Sequence, residues 1–546
     1  MFRHGVWLTE KEKDRSDPQR LQTGIQRYAA GTKTVSSDCI AKITNGIVSW
    51  ITKDCRPISI VNDEGFVNIM KIATGCNTYS APCYSTITEK MHHIYSEECK
   101  TLSSKLQAAP AVSLTADFWT SAQNKAYLGI TVHFIEEWTL KSCVLDVFEV
   151  AESHTAEVCG QTLVNTAEKW GIKDKVNCIV TDRGRNIVKG VEDYTPFLNT
   201  NCFAHIMQRG IAAGLKAAEL ESLLSKCRKI VGHFKHSAIQ TTRLSEAAQE
   251  LELSNLSLIQ DVTTRWFSIL AMAERLLSQK DAVQRVLQEH KYPTDMMLSE
   301  ADFGRLEHLT KVFGPLKEIS DFLGGQKYVT GSCIVHATRK LETFLIPSSD
   351  DPMYIVSFKK GFASYFDLNI VIPPVLKTCS TVDPRFSRMK WLNETDKANI
   401  SQCLINAMVA NMASTLAPEN EAQTDTQAGL LRERTSLEFS VLADNESDVD
   451  EANAEQDHYA IVQAEQAAFR ARKPEPLGSD PLLFWKQHAA SYPNLALQAA
   501  KLLCIPATSL PCERLFSVAG VIVQKRRTAL SPDQVQKILC LNSWLK

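Results

Sequence analysis

The sequence lacks every short cysteine pattern that marks a local metal-binding module. None of its 16 cysteines stands three residues from another, and the closest spacings are Cys76 to Cys83 and Cys504 to Cys512. Zinc ribbons and fingers take paired ligands from shorter spacings, so this class of site is excluded. We predict that the cysteines are free thiols and that the protein folds without zinc.

Long apolar runs are also missing. No stretch approaches eighteen apolar residues, and the opening MFRHGVWLTEKEKDRSD contains no apolar core of signal-peptide length. We therefore expect a protein of the cytosol or nucleus with no membrane partner. The sequence has no internal repeat, and its 546 residues suffice for two to four domains.

Charge is nearly balanced overall but unevenly spread. The formal net charge is −2, while residues 419–457 hold twelve acidic and two basic residues. Subtracting their −10 from −2 leaves +8 for the rest of the chain, which is compatible with a nucleic-acid ligand. The acidic stretch is poor in aromatic residues, so we predict a disordered loop over residues 415–460.

Hydrophobic periodicity predicts two helical regions with a small sheet between them. Residues 37–110 and 201–410 repeat apolar positions at helical spacing. Between them the predicted order is strand, strand, strand, helix, strand, with a hairpin turn after Glu136 and a helix end at Gly171. The predicted strands cover residues 111–115, 125–135, 139–147 and 176–182.

Two of these strands lead into carboxylates, Asp117 and Asp182. This order is the layout of a ribonuclease H-like domain, which places both carboxylates at adjacent strand positions. Two divalent cations about 3.5–4 Å apart need shared oxygen ligands, so the chemistry calls for a third acidic residue. Spacing alone leaves Asp146, Glu274 and Glu513 open for that place.

Five segments resemble, in order, the motifs of hAT-superfamily transposases, and with their flanking helices they cover about residues 43–544. They are LTADFWTS at 114–121, VTDRGRN at 180–186, CFAH at 202–205, TRWFS at 264–268, and SLPCERLFSVAG at 509–520, followed by Arg527 and Leu530. Residues 37–110 also resemble the helical region that precedes the catalytic core in BED-finger members of the family.

The resemblance implies a fold class: an α/β ribonuclease H-like core interrupted by a large all-α insertion, with an N-terminal helical domain. The implied parts follow one another along the chain. They are a flexible lead, 1–36; the helical domain, 37–110; the first part of the core, 111–214; the insertion, 215–480; and the C-terminal part of the core with a dimerisation region, 481–546.

The resemblance also implies the site. Asp117, Asp182 and Glu513 would bind Mg²⁺ or Mn²⁺ as an acidic triad, and His205 would act beside them. DNA would be the partner at this site. The residues that would contact DNA at the cut end are Arg265 and Trp266, because an aromatic ring can stack on an unpaired base.

The C-terminal stretch is the predicted surface for self-association. Two short apolar helices are expected near residues 510–520 and 531–544, the second opened by a capping box of Ser531 and Gln534. Their apolar side chains either seal the sheet or meet a second copy, and the resemblance favours the second copy. The residues concerned are Leu515, Phe516, Val535, Ile538 and Leu539.

The sequence departs from the family pattern beside the second aspartate. The family usually has Asn directly after it, whereas Arg183 stands here and Arg185 follows. Two guanidinium groups would compete electrostatically with divalent cations unless they point outward from a helix start. The BED zinc finger is not found either, so the start is truncated or the copy has lost its DNA-recognition module.

Two functions therefore remain open. A DDE-type enzyme would cut and join DNA by two-metal transesterification, and the complete triad favours it. A domesticated or decayed descendant would dimerise and associate with DNA in the nucleus without cutting. Arg183, Arg185 and the missing finger favour this second function, which we adopt as the expectation while leaving enzymatic activity undecided.

Overall fold

The computed structural model describes residues 34–121, 124–150, 155–262, 267–290, 292–293, 296–390, 392–416, 446–523 and 530–545. Within these ranges the elements are numbered in chain order. The chain divides into two units. Unit one holds the residues up to 102, residues 120–125 and those from 517 onward, while unit two holds residues 103–119 and 126–516.

Helices open the described chain, as predicted from residue 37 onward. The hydroxyl of Ser36 accepts a hydrogen bond from the backbone N–H of Cys39 and so caps the first helix, which buries Ile47 and Ile51 one turn apart. Gly75 ends the second helix at a φ of 64°, a conformation that glycine adopts at little cost. The helices are α1, Ser37–Lys53; α2, Glu64–Thr74; and α3, Tyr84–Ala108.

A mixed five-stranded sheet follows, with the strand order β3-β2-β1-β4-β5. β1 pairs in parallel with β4, β4 pairs in parallel with β5, and β2 pairs antiparallel with β3. The first strand to appear in the sequence is thus the central one. The strands are β1, Val112–Thr120; β2, Ala126–Glu136; β3, Thr139–Glu149; β4, Val176–Thr181; and β5, Asn199–Asn201.

The predicted hairpin is confirmed. Glu136 pairs with Thr139 across a two-residue turn, and both turn residues, Glu137 and Trp138, have positive φ angles of 48° and 58°. Such a turn matches the right-handed twist of the strands it joins. Strand β5 was not predicted, because its three polar residues carry no alternation that a sequence pattern could detect.

Two helices cross closely beside the sheet. They are α4, Ala156–Lys169, and α5, Arg185–Tyr194. The Thr155 hydroxyl caps α4, and Gly171 follows its end at a φ of 66°, as predicted. A Cβ atom on Gly160 would lie 2.5 Å from the carbonyl oxygen of Gly190, so the two glycines permit the crossing.

The rest of unit two is helical and encloses a large apolar core, in agreement with the helical prediction for residues 201–410. The helices that follow β5 up to residue 416 are α6, Phe203–Ala217; α7, Glu221–Lys235; α8, Ala238–Glu250; α9, Ser268–Ser278; α10, Lys280–Glu289; α11, Glu300–Leu323; α12, Ile334–Phe344; α13, Met353–Asn369; α14, Pro374–Thr381; and α15, Glu394–Leu416.

The predicted disordered loop over 415–460 requires correction at its two ends. Residues 415 and 416 end α15, and residues 446–460 lie in a helix, α16, Glu446–Ala471. Residues 417–445 lie outside the described residues. The composition was misleading because Glu and Ala are strong helix formers, and acidic residues near a helix start interact favourably with the helix dipole.

Four more helices complete the part of the chain that the structure describes. They are α17, Pro481–His488; α18, Pro493–Leu502; α19, Leu510–Ile522; and α20, Pro532–Trp544. The predicted capping box of Ser531 and Gln534 is confirmed at the start of α20. Within unit one, the Asn542 side chain donates to the carbonyl oxygens of Thr52 and Lys53, at 3.0 and 2.8 Å, and so ties α20 to α1. Among the helices described, none is long and apolar enough to cross a membrane.

Candidate active site

Asp117 lies on the central strand of the sheet. Residues 112–117 of β1 are all buried, and Asp117 is 6% exposed. One of its carboxylate oxygens accepts a hydrogen bond of 2.8 Å from the backbone N–H of Phe118. The strand thus carries a single carboxylate into a nearly water-free position, which demands compensation by neighbouring groups.

Asp182 lies beside it, at the end of the parallel strand β4. Ala116 is the register partner of Thr181, so the two aspartates follow directly after paired residues. The Asp182 carboxylate accepts a hydrogen bond of 2.9 Å from the backbone N–H of Gly184. A Cβ atom on Gly184 would lie 2.8 Å from that same oxygen, so glycine is what lets the turn fold back onto the carboxylate.

His205 and Glu513 come from two helices that begin near these strand ends. His205 is in the first turn of α6 and Glu513 in the first turn of α19. The Nε2 atom of His205 is 3.5 Å from a carboxylate oxygen of Glu513, and both side chains are partly buried. Sequence-distant residues therefore meet at one edge of the sheet.

Asp117, His205 and Glu513 form the group of potential metal ligands found among the described residues. Each offers one ligand atom, and these atoms all lie within 4.8 Å of one another. Asp182 stands outside this group of three, on the neighbouring strand. Carboxylate oxygens suit Mg²⁺ and Mn²⁺, and an imidazole nitrogen is a common additional ligand for transition metals.

The structure also bears on the two other carboxylates that spacing left open. Asp146 is fully buried on β3 and forms an ion pair of 2.7 Å with Lys169. Glu274 is exposed on α9, within the helical region that follows the sheet. Neither belongs to the ligand group, so Glu513 is the carboxylate that the geometry brings to Asp117.

The electrostatics of the site oppose ionisation of its carboxyls. Burial raises the pKa of Asp117 to about 8, and the negative charge of Asp182 raises it further, while His205 acts in the opposite direction. Burial also raises the pKa of Glu513, against the lowering effect of His205 and Arg514. Crowded carboxyls with raised pKa values are typical of sites that receive a proton or a cation.

The two arginines after Asp182 are directed elsewhere. An Nη atom of Arg183 donates to the side-chain oxygen of Asn369, at the end of α13, over 2.6 Å. Arg185 is the first residue of α5 and is exposed. Of the two alternatives left by the sequence, an outward-pointing group agrees with the exposure of Arg185, whereas the partly buried Arg183 is held by Asn369. Sequence reasoning missed Asn369, because no local pattern links residues so far apart.

The predicted DNA-contacting residues, Arg265 and Trp266, lie outside the described residues. Of the predicted dimerisation residues, Leu515 is buried, and the Phe516 ring lies 6.0 Å from that of Trp119. The three on α20 are buried within the chain: Val535, Ile538 and Leu539. Their part in self-association stays a prediction, and any surface offered to a second copy must draw on exposed neighbours.

Four segments of the chain match models of known protein families. Residues 29–76 match the Hermes transposase DNA-binding domain, and residues 465–545 match the hAT family C-terminal dimerisation region. Between them, residues 115–201 match the ZBED1 RNase-like domain and residues 200–312 its RNase-like helical domain. The second pair spans the sheet and the beginning of the helical region.

Curated relatives include transposases and BED-finger proteins. A putative AC transposase of Zea mays is 24% identical over 90% of this chain and 63% of its own length. Zinc finger BED domain-containing protein 4 of Homo sapiens is 23% identical over 98% of this chain and 46% of its own length. The Hobo transposase of Drosophila melanogaster is 25% identical over 42% of this chain. The chain thus spans less than two thirds of these relatives.

Proposed function

We propose that this chain, which is similar to hAT transposases and their BED-finger relatives, processes DNA at a divalent-metal site built from Asp117, Asp182 and Glu513. His205 would complete the site. The observation that carries the proposal is the convergence of Asp117, His205 and Glu513 within 4.8 Å, although Glu513 comes from the far end of the sequence.

We take the sheet to be a ribonuclease H-like core that the long helical region interrupts. In support of this, a mixed five-stranded sheet carries the first aspartate on its central strand, and the second directly follows the parallel neighbour. The match of residues 115–201 to an RNase-like domain points the same way. Glu513 then returns from beyond the helices to the edge where both strands end.

The residues present suit Mg²⁺ or Mn²⁺. A bound cation would activate water and stabilise the leaving oxygen of a phosphodiester. The chain's own contribution is to hold Asp117 buried on a rigid strand, with the charge of Asp182 beside it. Because the charge of Asp182 disfavours ionisation of Asp117, a cation bound between them would favour the ionised form of Asp117.

The contacts of Arg183 and the position of Arg185 are compatible with an enzyme. The Arg183 guanidinium group is hydrogen-bonded to Asn369, and Arg185 is exposed at a helix start. The alternative function, a nuclear DNA-associating protein that does not cut, would need only the matched DNA-binding and dimerisation segments. Both functions act on DNA, so either of them would place the protein in the nucleus.

The test combines Mn²⁺ binding, measured by calorimetry, with Mn²⁺-dependent breaks in supercoiled plasmid DNA. We expect the wild-type chain to bind Mn²⁺ and to break DNA, and Asp182→Asn and Glu513→Gln to lose both properties. Glu274→Gln is the matched control, because it removes an exposed carboxylate that the sequence left open for the same role.

Each outcome decides between the two functions. Mn²⁺ binding and DNA binding without any strand breaks would favour the non-cutting protein. An absence of Mn²⁺ binding in the wild-type chain would refute the metal site. Equal losses in Glu274→Gln and Glu513→Gln would contradict the assignment of Glu513.

A further inference from the structure

The first turn of α19 rests on the sheet through a buried thiol. Cys512 is fully buried, and its sulfur lies 3.0 Å from the hydroxyl oxygen of Thr115 on β1. The same sulfur lies 3.4 Å from the carbonyl oxygens of Thr115 and of Gly129 on β2, either of which can accept a hydrogen bond from the thiol. One side chain of the helix thus contacts two neighbouring strands.

The contact belongs to a longer buried polar chain. The hydroxyls of Thr115 and Thr131 are 2.6 Å apart, and the Thr131 hydroxyl is 2.9 Å from Nε2 of His133. All three residues are at most 3% exposed. Burial lowers the pKa of His133 to about 3, so its imidazole is neutral and serves as a hydrogen-bonding group rather than a charge.

A close apolar contact accompanies the polar one. A Cβ atom on Gly129 would lie 2.7 Å from the Phe516 ring and 3.0 Å from a methyl group of Leu515. The Phe516 ring also stacks against Trp119, with ring centroids 6.0 Å apart. Gly129 therefore leaves the space into which the next turn of α19 fits, and the helix has little freedom to slide.

These contacts lie next to two residues of the candidate active site, one on the strand and one on the helix. Thr115 is two residues before Asp117 on one strand, so both side chains lie on the same face. Cys512 directly precedes Glu513. A fixed separation between Thr115 and Cys512 consequently limits how far Glu513 can move from Asp117.

We infer that Cys512 is a positioning residue, which holds Glu513 in reach of Asp117 and His205 by anchoring α19 to Thr115 and Gly129. The inference rests on the proposed metal site for its functional meaning. It assigns no chemistry to the thiol itself, which acts only through the orientation of Glu513. Groups that orient metal ligands typically contribute 10–100-fold to metal affinity.

The test compares Cys512→Val, which removes the hydrogen-bonding thiol at similar volume, with Cys512→Ser, which retains a donor. We expect the Kd for Mn²⁺ to rise about 10–100-fold in Cys512→Val and to return to within a few-fold of wild type in Cys512→Ser. Cys504→Val is the matched control. That cysteine is equally buried and lies 3.4 Å from Ser113 on the same strand, at the end away from Asp117.

A metal-free measurement separates this inference from the proposed function. Amide hydrogen exchange of residues 510–516 should accelerate in Cys512→Val. The same acceleration is expected in Thr115→Val, which removes the hydroxyl group on the strand. This second variant provides the measurement if Cys512→Val fails to fold. Unchanged exchange, or equal Mn²⁺ losses in the Cys512 and Cys504 variants, would overturn the inference. A wild-type chain without Mn²⁺ binding would refute the metal site, while exchange would still decide whether Cys512 anchors the helix.

Discussion

The burial of Asp117 predicts that removing its charge stabilises the protein. Its pKa rises from 3.8 to about 8 on folding, first because of burial and then because of Asp182. Below pH 3.8 the carboxyl is protonated in both the folded and the unfolded state and has no effect. Between pH 3.8 and 8 only the unfolded state ionises, so the folded state loses about 1.4 kcal/mol per pH unit. Above pH 8 the loss is constant.

Asp117→Asn should remove this cost while keeping the hydrogen bond from the Phe118 N–H, because an amide oxygen can still accept it. The gain in free energy of unfolding is about 4 kcal/mol at pH 7 and about 6 kcal/mol above pH 8, as upper limits. With about 2.1 cal/mol/K of unfolding entropy per residue over roughly 400 residues of unit two, about 4 kcal/mol corresponds to a rise in Tm of about 5 °C.

Thermal melts of both proteins between pH 4 and 9 provide the assay. The difference in Tm should vanish near pH 4 and grow toward pH 8, and Mn²⁺ should raise the Tm of the wild type more than that of the variant. Asp383→Asn is the control with the opposite sign. Asp383 is fully buried against Arg385 at 2.6 Å, so its neutralisation leaves a buried guanidinium group unpaired and lowers the Tm.

An Asp117→Asn variant that melts at or below the wild-type temperature at pH 8 would refute this reasoning. So would a difference in Tm that does not change with pH. Either result would mean that the Asp117 carboxyl ionises in the folded protein as easily as it does in water.

Two further predictions concern Arg183 and the dimerisation region. Arg183→Ala should lower the free energy of unfolding by about 1 kcal/mol, because the hydrogen bond to Asn369 is lost. Adding Asn369→Ala should cost little more, and the Mn²⁺ affinity of Arg183→Ala should stay within about twofold of wild type. Tighter Mn²⁺ binding in Arg183→Ala would show that the guanidinium group repels the metal. Leu483 is 53% exposed within the matched dimerisation region, so Leu483→Asp should weaken self-association, measured by sedimentation at micromolar concentration. The control Ile239→Asp, at an exposed position on α8, should leave self-association unchanged. A wild-type chain that is already monomeric would contradict this prediction.

Local features of the fold were predictable because their causes are local. The capping box at Ser531, the helix end at Gly171 and the turn at Glu137 each depend on residues within a few positions of one another. Alternation likewise revealed both strands of the hairpin, and it failed at β5, where three polar residues are paired only because β4 lies beside them. The acidic composition predicted disorder at the start of α16, although the Glu and Ala residues there also favour a helix.

Some residues of the candidate site could likewise be predicted from local patterns, and others could not. Asp117 and Asp182 could be singled out because each stands at the end of a predicted strand, whereas spacing left Asp146, Glu274 and Glu513 equally open for the third place. That choice depends on contacts between residues hundreds of positions apart. The anchoring of Cys512 on Thr115 is one such contact, and neither residue type carries a signal that would pair it with the other.

The position of Glu513 in the sequence has a consequence for the protein during its own synthesis. All five strands are complete by Asn201, while Glu513 is translated roughly 300 residues later, which takes about 15–60 s at ordinary elongation rates. A nascent chain can therefore form its sheet, with both aspartates in place, long before the ribosome delivers the last carboxylate. The proposed ligand set remains incomplete throughout this interval, so the proposed metal site can form only after Glu513 has been translated.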